Sequence, residues 1–128
     1  AGATLILNLS ASNEVVGKAA YRRQLVVGQS GRLCCGYVYA DAGEGESSTD
    51  LVFAGHNMIA ENGVLLAERR FGTGLTVSEI DVDRLVYERR RMNTYAPSKE
   101  AMEIGRVNFD LEREETHLTR RFSPTPAI

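Results

Sequence analysis

A chain of 128 residues, 43% apolar and 25% charged, has the size and balance of one soluble globular domain and is too short for two ordinary ones. A net charge of −2 supplies no basic field for nucleic acid. No apolar run reaches the roughly 20 residues of a membrane span, and no basic start with a long apolar centre marks a secretory signal. Nucleic-acid binding, membrane insertion and export are therefore not expected.

Residues 4–9 read as a strand. Leu5, Ile6, Leu7 and Leu9 carry no charge among them, a pattern that suits a strand covered on both faces. It runs into the polar exit Ser10, Ala11, Ser12 and Asn13, the kind of corner where α/β proteins place ligand contacts. The chain has no initiator Met and opens beside this strand, while residues 123–126 have linker composition. Both features suggest a piece of something larger.

A helix is expected over residues 18–31. At 100° per residue, Ala20, Tyr21, Gln24, Leu25, Val27, Gly28 and Gly31 share one broad face, with Arg22, Arg23, Gln29 and Ser30 on the other. Gly28 and Gly31 each cost about 1 kcal/mol of helix propensity relative to Ala, which close approach of a neighbouring element would explain. Ser12 or Asn13 could cap the helix or its lead-in. A second apolar strand is expected over 33–40, making a strand–helix–strand unit. Cys34 and Cys35 would be neighbours in that strand, pointing to opposite faces, unable to form a framework disulfide. Reduced thiols fit a cytoplasmic protein.

Residues 41–50 hold no apolar side chain larger than Ala and read as a long loop, a place where function concentrates. Residues 51–53 and 57–60 read as two halves of a third strand, broken at 54–56. Glu61-Asn62-Gly63 carries the strongest short hairpin signal, with 64–68 returning. Residues 76–82 suggest a further strand, with Asp81 capping a short helix over 83–88 and Arg89, Arg90 and Arg91 at its C-terminal end, where positive charge suits the helix dipole. Alternation of Val107, Phe109 and Leu111 suggests a short late strand. The fold class is α/β.

Few side chains carry chemistry. A phosphate cradle in 43–48 lacks the P-loop lysine, and Glu44 and Glu46 would repel an anion. Cys34 or Cys35 could act as a nucleophile activated by Lys18 or His56, but burial in a strand raises a thiol's pKa and favours a core role. His56 and His117, the two histidines, have no neighbours at metal-ligand spacing. The arginines at 89–91 read as a solvated helix end. Ser12 has two open roles, an N-cap or a hydrogen-bond partner of a ligand at the strand's carboxyl end.

Several of these stretches occur in a familiar order: Ala1-Gly2-Ala3, Asn8-Leu9-Ser10-Ala11-Ser12, Gly17-Lys18 followed by Arg22-Arg23, Tyr37-Val38-Tyr39, Gly43-Glu44-Gly45-Glu46-Ser47-Ser48-Thr49-Asp50-Leu51 and Glu61-Asn62-Gly63. Together they resemble the glutaminase domain of glutamine-dependent NAD+ synthetases, a member of the nitrilase, or carbon–nitrogen hydrolase, superfamily. The resemblance implies part of an α-β-β-α sandwich, with residues 1–95 the C-terminal half of that domain and 96–128 leading towards a synthetase domain. It implies a parent enzyme that hydrolyses glutamine to glutamate and ammonia with a Cys nucleophile, a Lys and a Glu, then uses ATP and Mg2+ to amidate deamido-NAD+. The family's three catalytic residues lie before Ala1, so no catalytic residue, cofactor or metal site is assigned within these residues. The implied substrate contacts are Ser12 and Lys18, the latter where some members place an arginine, and, from the loop bordering the pocket, Glu46 and Ser47. The implied partner is glutamine, with homo-oligomerisation expected and neither nucleic acid nor membrane. The competing readings are a non-catalytic structural or interaction module and a standalone thiol hydrolase using Cys34 or Cys35.

Overall fold

The computed structural model describes residues 2–47, 49–94, 105–112 and 114–121. Strand β1 (Leu5–Ser10) leads through a corner into helix α1 (Lys18–Leu33), and β2 (Gly36–Asp41) returns to pair parallel with β1, Leu5 opposite Gly36 and Ser10 opposite Asp41. A parallel pair needs such a crossover to bring the chain back to its starting end. Strands β3 (Asn57–Glu61) and β4 (Val64–Arg69) extend the sheet antiparallel in the order β1-β2-β3-β4. Helix α2 (Val82–Arg91) follows. The expected α/β class and strand–helix–strand unit are both present.

The β3–β4 turn forms where Asn-Gly requires it. Asn62 and Gly63 take φ of 44° and 84°, the paired left-handed conformation of a two-residue hairpin whose twist matches its strands. Helix α1 lies across one face of the sheet. Its buried stripe is Arg22, Val26 and Ser30, whereas Tyr21 and Leu25 are exposed, so the face predicted from apolar side chains is displaced. The reason is that both buried polar residues are satisfied. Ser30 Oγ donates to the Val27 carbonyl at 2.8 Å and accepts from Gly63 N at 2.9 Å. Arg22 is held by the contacts described below. Val26 joins Tyr39, Met58 and Ala60 in the core, with Val27, Tyr37 and Leu65 packed against them.

The opposite face of β1 differs from the expectation of a strand covered on both sides. Leu7 and Leu9 are 65% and 85% exposed, because none of the described residues covers that end of the face. Nearer the strand's start, Ile80 packs over Gly36, its methyls 2.9 Å from where a Cβ would stand.

Four further expectations are corrected. Cys34 and Cys35 lie in the turn between α1 and β2 rather than in a strand; Cys34 is the helix C-cap with φ 46°. Residues 51–56 are irregular, because their backbone groups bond to loops: Glu14 N donates to Val52 O, Gly55 N to Ala42 O, and Phe71 N to Ala54 O. Residues 76–81 are irregular and do not lengthen the sheet; Ile80 and Asp81 contact it, Asp81 N donating to Glu61 Oε1 at 2.6 Å. Val107, Phe109 and Leu111 are exposed in irregular chain, so alternation there finds no partner strand. The linker-like residues 123–126 lie outside the described residues.

Asp81 caps α2 as predicted, its Oδ1 accepting from Arg84 N at 2.9 Å. Arg89 is not a solvated helix end. Its guanidinium donates to the carbonyls of Gly2 and Ala3 ahead of β1 and to those of Leu33 and Cys34, orphans at the end of α1, at 2.6–3.2 Å.

The two helix glycines test this packing. A Cβ on Gly31 would stand 3.2 Å from Gly63 Cα, whereas one on Gly28 meets nothing within 4 Å. Gly28→Ala therefore gains about 0.5–1 kcal/mol of stability from helix propensity, and Gly31→Val loses about 1–3 kcal/mol by overpacking against backbone. Urea unfolding of both variants checks the pair, and equal effects would contradict the helix–hairpin contact.

Candidate functional site

Because β1 and β2 run parallel, their carboxyl ends and the corner that follows β1 meet at one place. The corner does not cap α1 through a side chain. Gly17 takes the N-cap position with φ 82° and no side-chain cap bond, so Ser12 and Asn13 are committed elsewhere. Asn13 Oδ1 accepts from Lys18 Nζ at 2.5 Å, and Ser12 Oγ accepts from Arg22 Nε and Nη2 at 3.3 and 3.2 Å.

A cavity of about 280 Å3 opens here; Asn8, Ser10 and Ser12 from β1 and its exit, Tyr37 and Tyr39 from β2, and Lys18, Arg22 and Gln29 from α1 give it polar groups, while Tyr21, Leu25 and Val26 of α1 add apolar surface. Its hydroxyls are ordered by one another. Tyr39 OH donates to Ser10 Oγ at 2.8 Å, and Asn8 Nδ2 donates to Tyr37 OH at 2.9 Å. With these acceptor sites occupied, the Ser10 and Tyr37 hydroxyl hydrogens remain to be donated. Lys18 adds an ammonium whose partner is an amide oxygen; among the described residues no carboxylate pairs with it. The cavity thus presents donors and positive charge, a lining suited to a small ligand bearing a carboxylate and carbonyl oxygens.

Behind this wall lies a buried ionic cluster. Arg22, 4% exposed, donates from Nη1 to Glu14 Oε2 at 3.1 Å and to His56 Nδ1 at 2.9 Å, and from Nη2 to the Ser12 and Asn13 carbonyls. Its Nε lies 3.8 Å from Asp41 Oδ2, and Asp41 Oδ1 accepts from Ser12 N at 2.8 Å. Arginine has no acceptor, so His56 must accept at Nδ1 and carry its hydrogen on Nε2, which donates to Glu68 Oε1 at 2.6 Å. Arg23 closes the chain on Glu68 at 2.7 Å, and Arg70 reaches Glu14 at 2.7 Å. Burial pushes the Glu14 and Glu68 carboxyls up, but Arg22 and Arg70 around the first, and Arg23 and His56 around the second, together outweigh it and hold both below the usual range.

Of the predicted contacts, Ser12 and Lys18 are brought together on one cavity wall, while Glu46 and Ser47 do not line it. Glu46 is exposed in the turn closed by its own N–H on the Gly43 carbonyl at 3.2 Å, and Ser47 Oγ accepts from Thr49 N at 3.5 Å. Sequence reasoning missed Asp41 and Glu68, and it placed Arg22 on the outer face of the helix and His56 beside a thiol rather than in this cluster. One signal was available: Arg22, Val26 and Ser30 recur every fourth residue, the spacing of a helix's buried stripe.

Two other places lack this character. A cavity of about 400 Å3 at the opposite end of β1 is lined by Gly2, Ala3, Ile6, Leu33 and Met92 with Arg32, Cys34 and Arg89, and Arg89 is already committed to carbonyls. Cys34 and Cys35 are free and buried, and burial raises the Cys35 thiol; Cys34 Sγ donates to the Leu85 carbonyl at 3.9 Å, and neither Lys18 nor His56 bonds to either sulfur. Among the described residues no group of three or more His, Cys, Asp or Glu could hold a metal ion, and no helix is long and apolar enough to cross a membrane.

Carboxyls held low in the folded state contribute stability above their unfolded pKa and lose it as pH falls through the folded one. The thermal midpoint should therefore drop as pH is lowered below about 4.5. In a Glu14→Gln/Glu68→Gln variant, already weaker at neutral pH, that acid slope should be shallower. Circular dichroism melts between neutral and acid pH decide this, and an unchanged slope would remove these two carboxylates as its source.

No family model matches the chain. It is 50% identical over 98 residues to the glutamine-dependent NAD(+) synthetase of Mycobacterium tuberculosis, covering 74% of this chain and 14% of that protein. It is 51% identical over 120 residues to the Mycobacterium leprae enzyme, covering 88% and 18%. The crystal structure of a glutamine-dependent NAD(+) synthetase from Cytophaga hutchinsonii superimposes with a TM-score of 0.53 at 39% identity, over 59% of this chain and 13% of that one. The Acinetobacter baumannii enzyme, at 24% identity and a TM-score of 0.51, shares the fold. The chain thus spans under one-fifth of the length of the curated relatives it matches. With about half of its aligned residues identical to theirs across most of its length, it is a homologue of the glutamine-dependent NAD(+) synthetases and corresponds to one segment of that enzyme.

Proposed function

We propose that this chain forms one wall of the glutamine pocket in the glutamine-hydrolysing part of a cytoplasmic NAD+ synthetase, and that by itself it does not hydrolyse glutamine. The observation that carries the reading is the donor-lined cavity at the carboxyl ends of β1 and β2, bordered by Ser12 and Lys18, in a chain homologous to that enzyme. A hydroxyl and an ammonium on one wall suit glutamine, whose carboxylate and amide carbonyl both accept. Lysine is a point charge without the planar fork of arginine, so Lys18 supplies attraction rather than a two-pronged grip.

Amide hydrolysis by this class of enzyme needs a thiolate to attack the carbonyl, a base to move protons and a positive group at the developing oxyanion. Cys34 and Cys35 supply none of this from their buried turn. The nucleophile, the Glu and the Lys belong to parts of the enzyme outside these residues, as do ATP and Mg2+. The exposed leucines of β1 support burial against the remainder of the enzyme or another copy, in keeping with a homo-oligomeric parent.

Ammonia release from glutamine, with and without iodoacetamide, tests the proposal. The 128-residue chain should release none, and its two thiols should alkylate only after unfolding. The longer enzyme containing it should release ammonia and lose that activity on alkylation. Alkylation-sensitive release by the chain alone would place the nucleophile at Cys34 or Cys35 and overturn the reading.

A further inference from the structure

We infer that Arg22 is a positioning residue for the glutamine pocket, fixing the exit of β1 and making Ser12 a hydrogen-bond donor towards the ligand. This rests on the glutamine-pocket reading above.

A serine hydroxyl has two acceptor lone pairs and one hydrogen. Arg22 faces Ser12 Oγ with Nε at 3.3 Å and Nη2 at 3.2 Å; Nη2 divides its two hydrogens among this oxygen and the Ser12 and Asn13 carbonyls, and towards a guanidinium, which has no acceptor, the hydroxyl can only accept. The hydrogen is left to a partner on the other side, and Ser12 lines the cavity. The same guanidinium holds the Ser12 and Asn13 carbonyls at 3.2 and 3.1 Å, so it sets the backbone of the corner as well as the polarity of the hydroxyl.

The guanidinium has little freedom of its own. Glu14 and His56 share Nη1, Asp41 faces Nε, and His56 is pinned from behind by Glu68, which Arg23 holds. A planar fork so surrounded has one orientation, and lysine could reproduce its charge but not its directions. An apolar residue would fill the position beside Val26 without the desolvation cost of a buried ion. What an apolar residue would not do is hold Ser12.

The test uses the glutamine-hydrolysing enzyme that contains this chain. Arg22→Lys should raise the KM for glutamine about tenfold while kcat stays within about twofold, the signature of lost binding rather than lost chemistry. Ser12→Ala should give a similar rise, and the double variant should be no worse than either, because both remove one interaction. Additive effects in the double variant, or a loss in kcat at constant KM, overturn the inference. If Arg22→Lys does not fold, Glu68→Gln, which is outside the cavity, loosens His56 and should raise KM about two- to threefold, and not at all in the Ser12→Ala background; an unchanged KM overturns the inference in that case. An unsubstituted enzyme that hydrolyses no glutamine defeats both the pocket reading and this one. Full turnover with Ser12→Ala leaving KM unaltered defeats only this one.

Discussion

A buried guanidinium constrains this fold more than any apolar contact does. A charge taken out of water is tolerated only when its donors are met by well-placed acceptors, and the acceptors of Arg22 come from the corner after β1 and the residue before β3, with the carboxylate of Asp41 at the end of β2 a charge neighbour and β4 behind them. Any register slip in the sheet would move Asp41 or Glu68 to the wrong face. The ionic cluster is therefore a specification of strand alignment as much as a source of stability, and it places that specification directly behind the candidate pocket.

The arrangement divides labour between the two ends of β1. At its carboxyl end, polar side chains are ordered by hydrogen bonds into a donor-lined wall. At its amino end, Arg89 from α2 collects the carbonyls of Gly2, Ala3, Leu33 and Cys34, and Ile80 fills the space that glycine leaves at position 36. Between them α1 runs from Lys18 at the pocket to Leu33 at the clamp. A rigid helix tied at both ends can hold Lys18 and Arg22 in fixed relation to Ser12.

Much of this was legible from local chemistry. Asn62-Gly63 dictated the hairpin, Asp81 announced the start of α2, and the strand–helix–strand order followed from two apolar runs around a helical one. What was illegible depended on partners distant in sequence. The buried face of α1 could not be read from hydrophobicity, because Arg22 and Ser30 are buried for the bonds they make to residues 12–14, 56 and 63. Residues 76–82 look like a strand because Val77, Ile80 and Val82 are apolar, yet only Ile80 packs on the sheet, while Val77 is exposed and Val82 opens α2. Ser12 and Lys18 are singled out by the resemblance alone, and their lining of one cavity depends on the corner that the chain makes after β1. The loop holding Glu46 and Ser47 was conspicuous in composition and does not contribute to the wall.

The clamp made by Arg89 bears on the order in which the chain acquires its structure. Its carbonyl partners lie 55–87 residues back in sequence. During synthesis β1, α1 and the β3–β4 hairpin are all complete before α2 leaves the ribosome, and contacts of such long sequence separation close late. Until then the Leu33 and Cys34 carbonyls lack their guanidinium partner, and the last turn of α1 rests on the hairpin alone, through Ser30 and Gly31 against Gly63. Docking of α2 is thus a closing step that converts a provisional sheet-and-helix assembly into one with both ends of α1 secured.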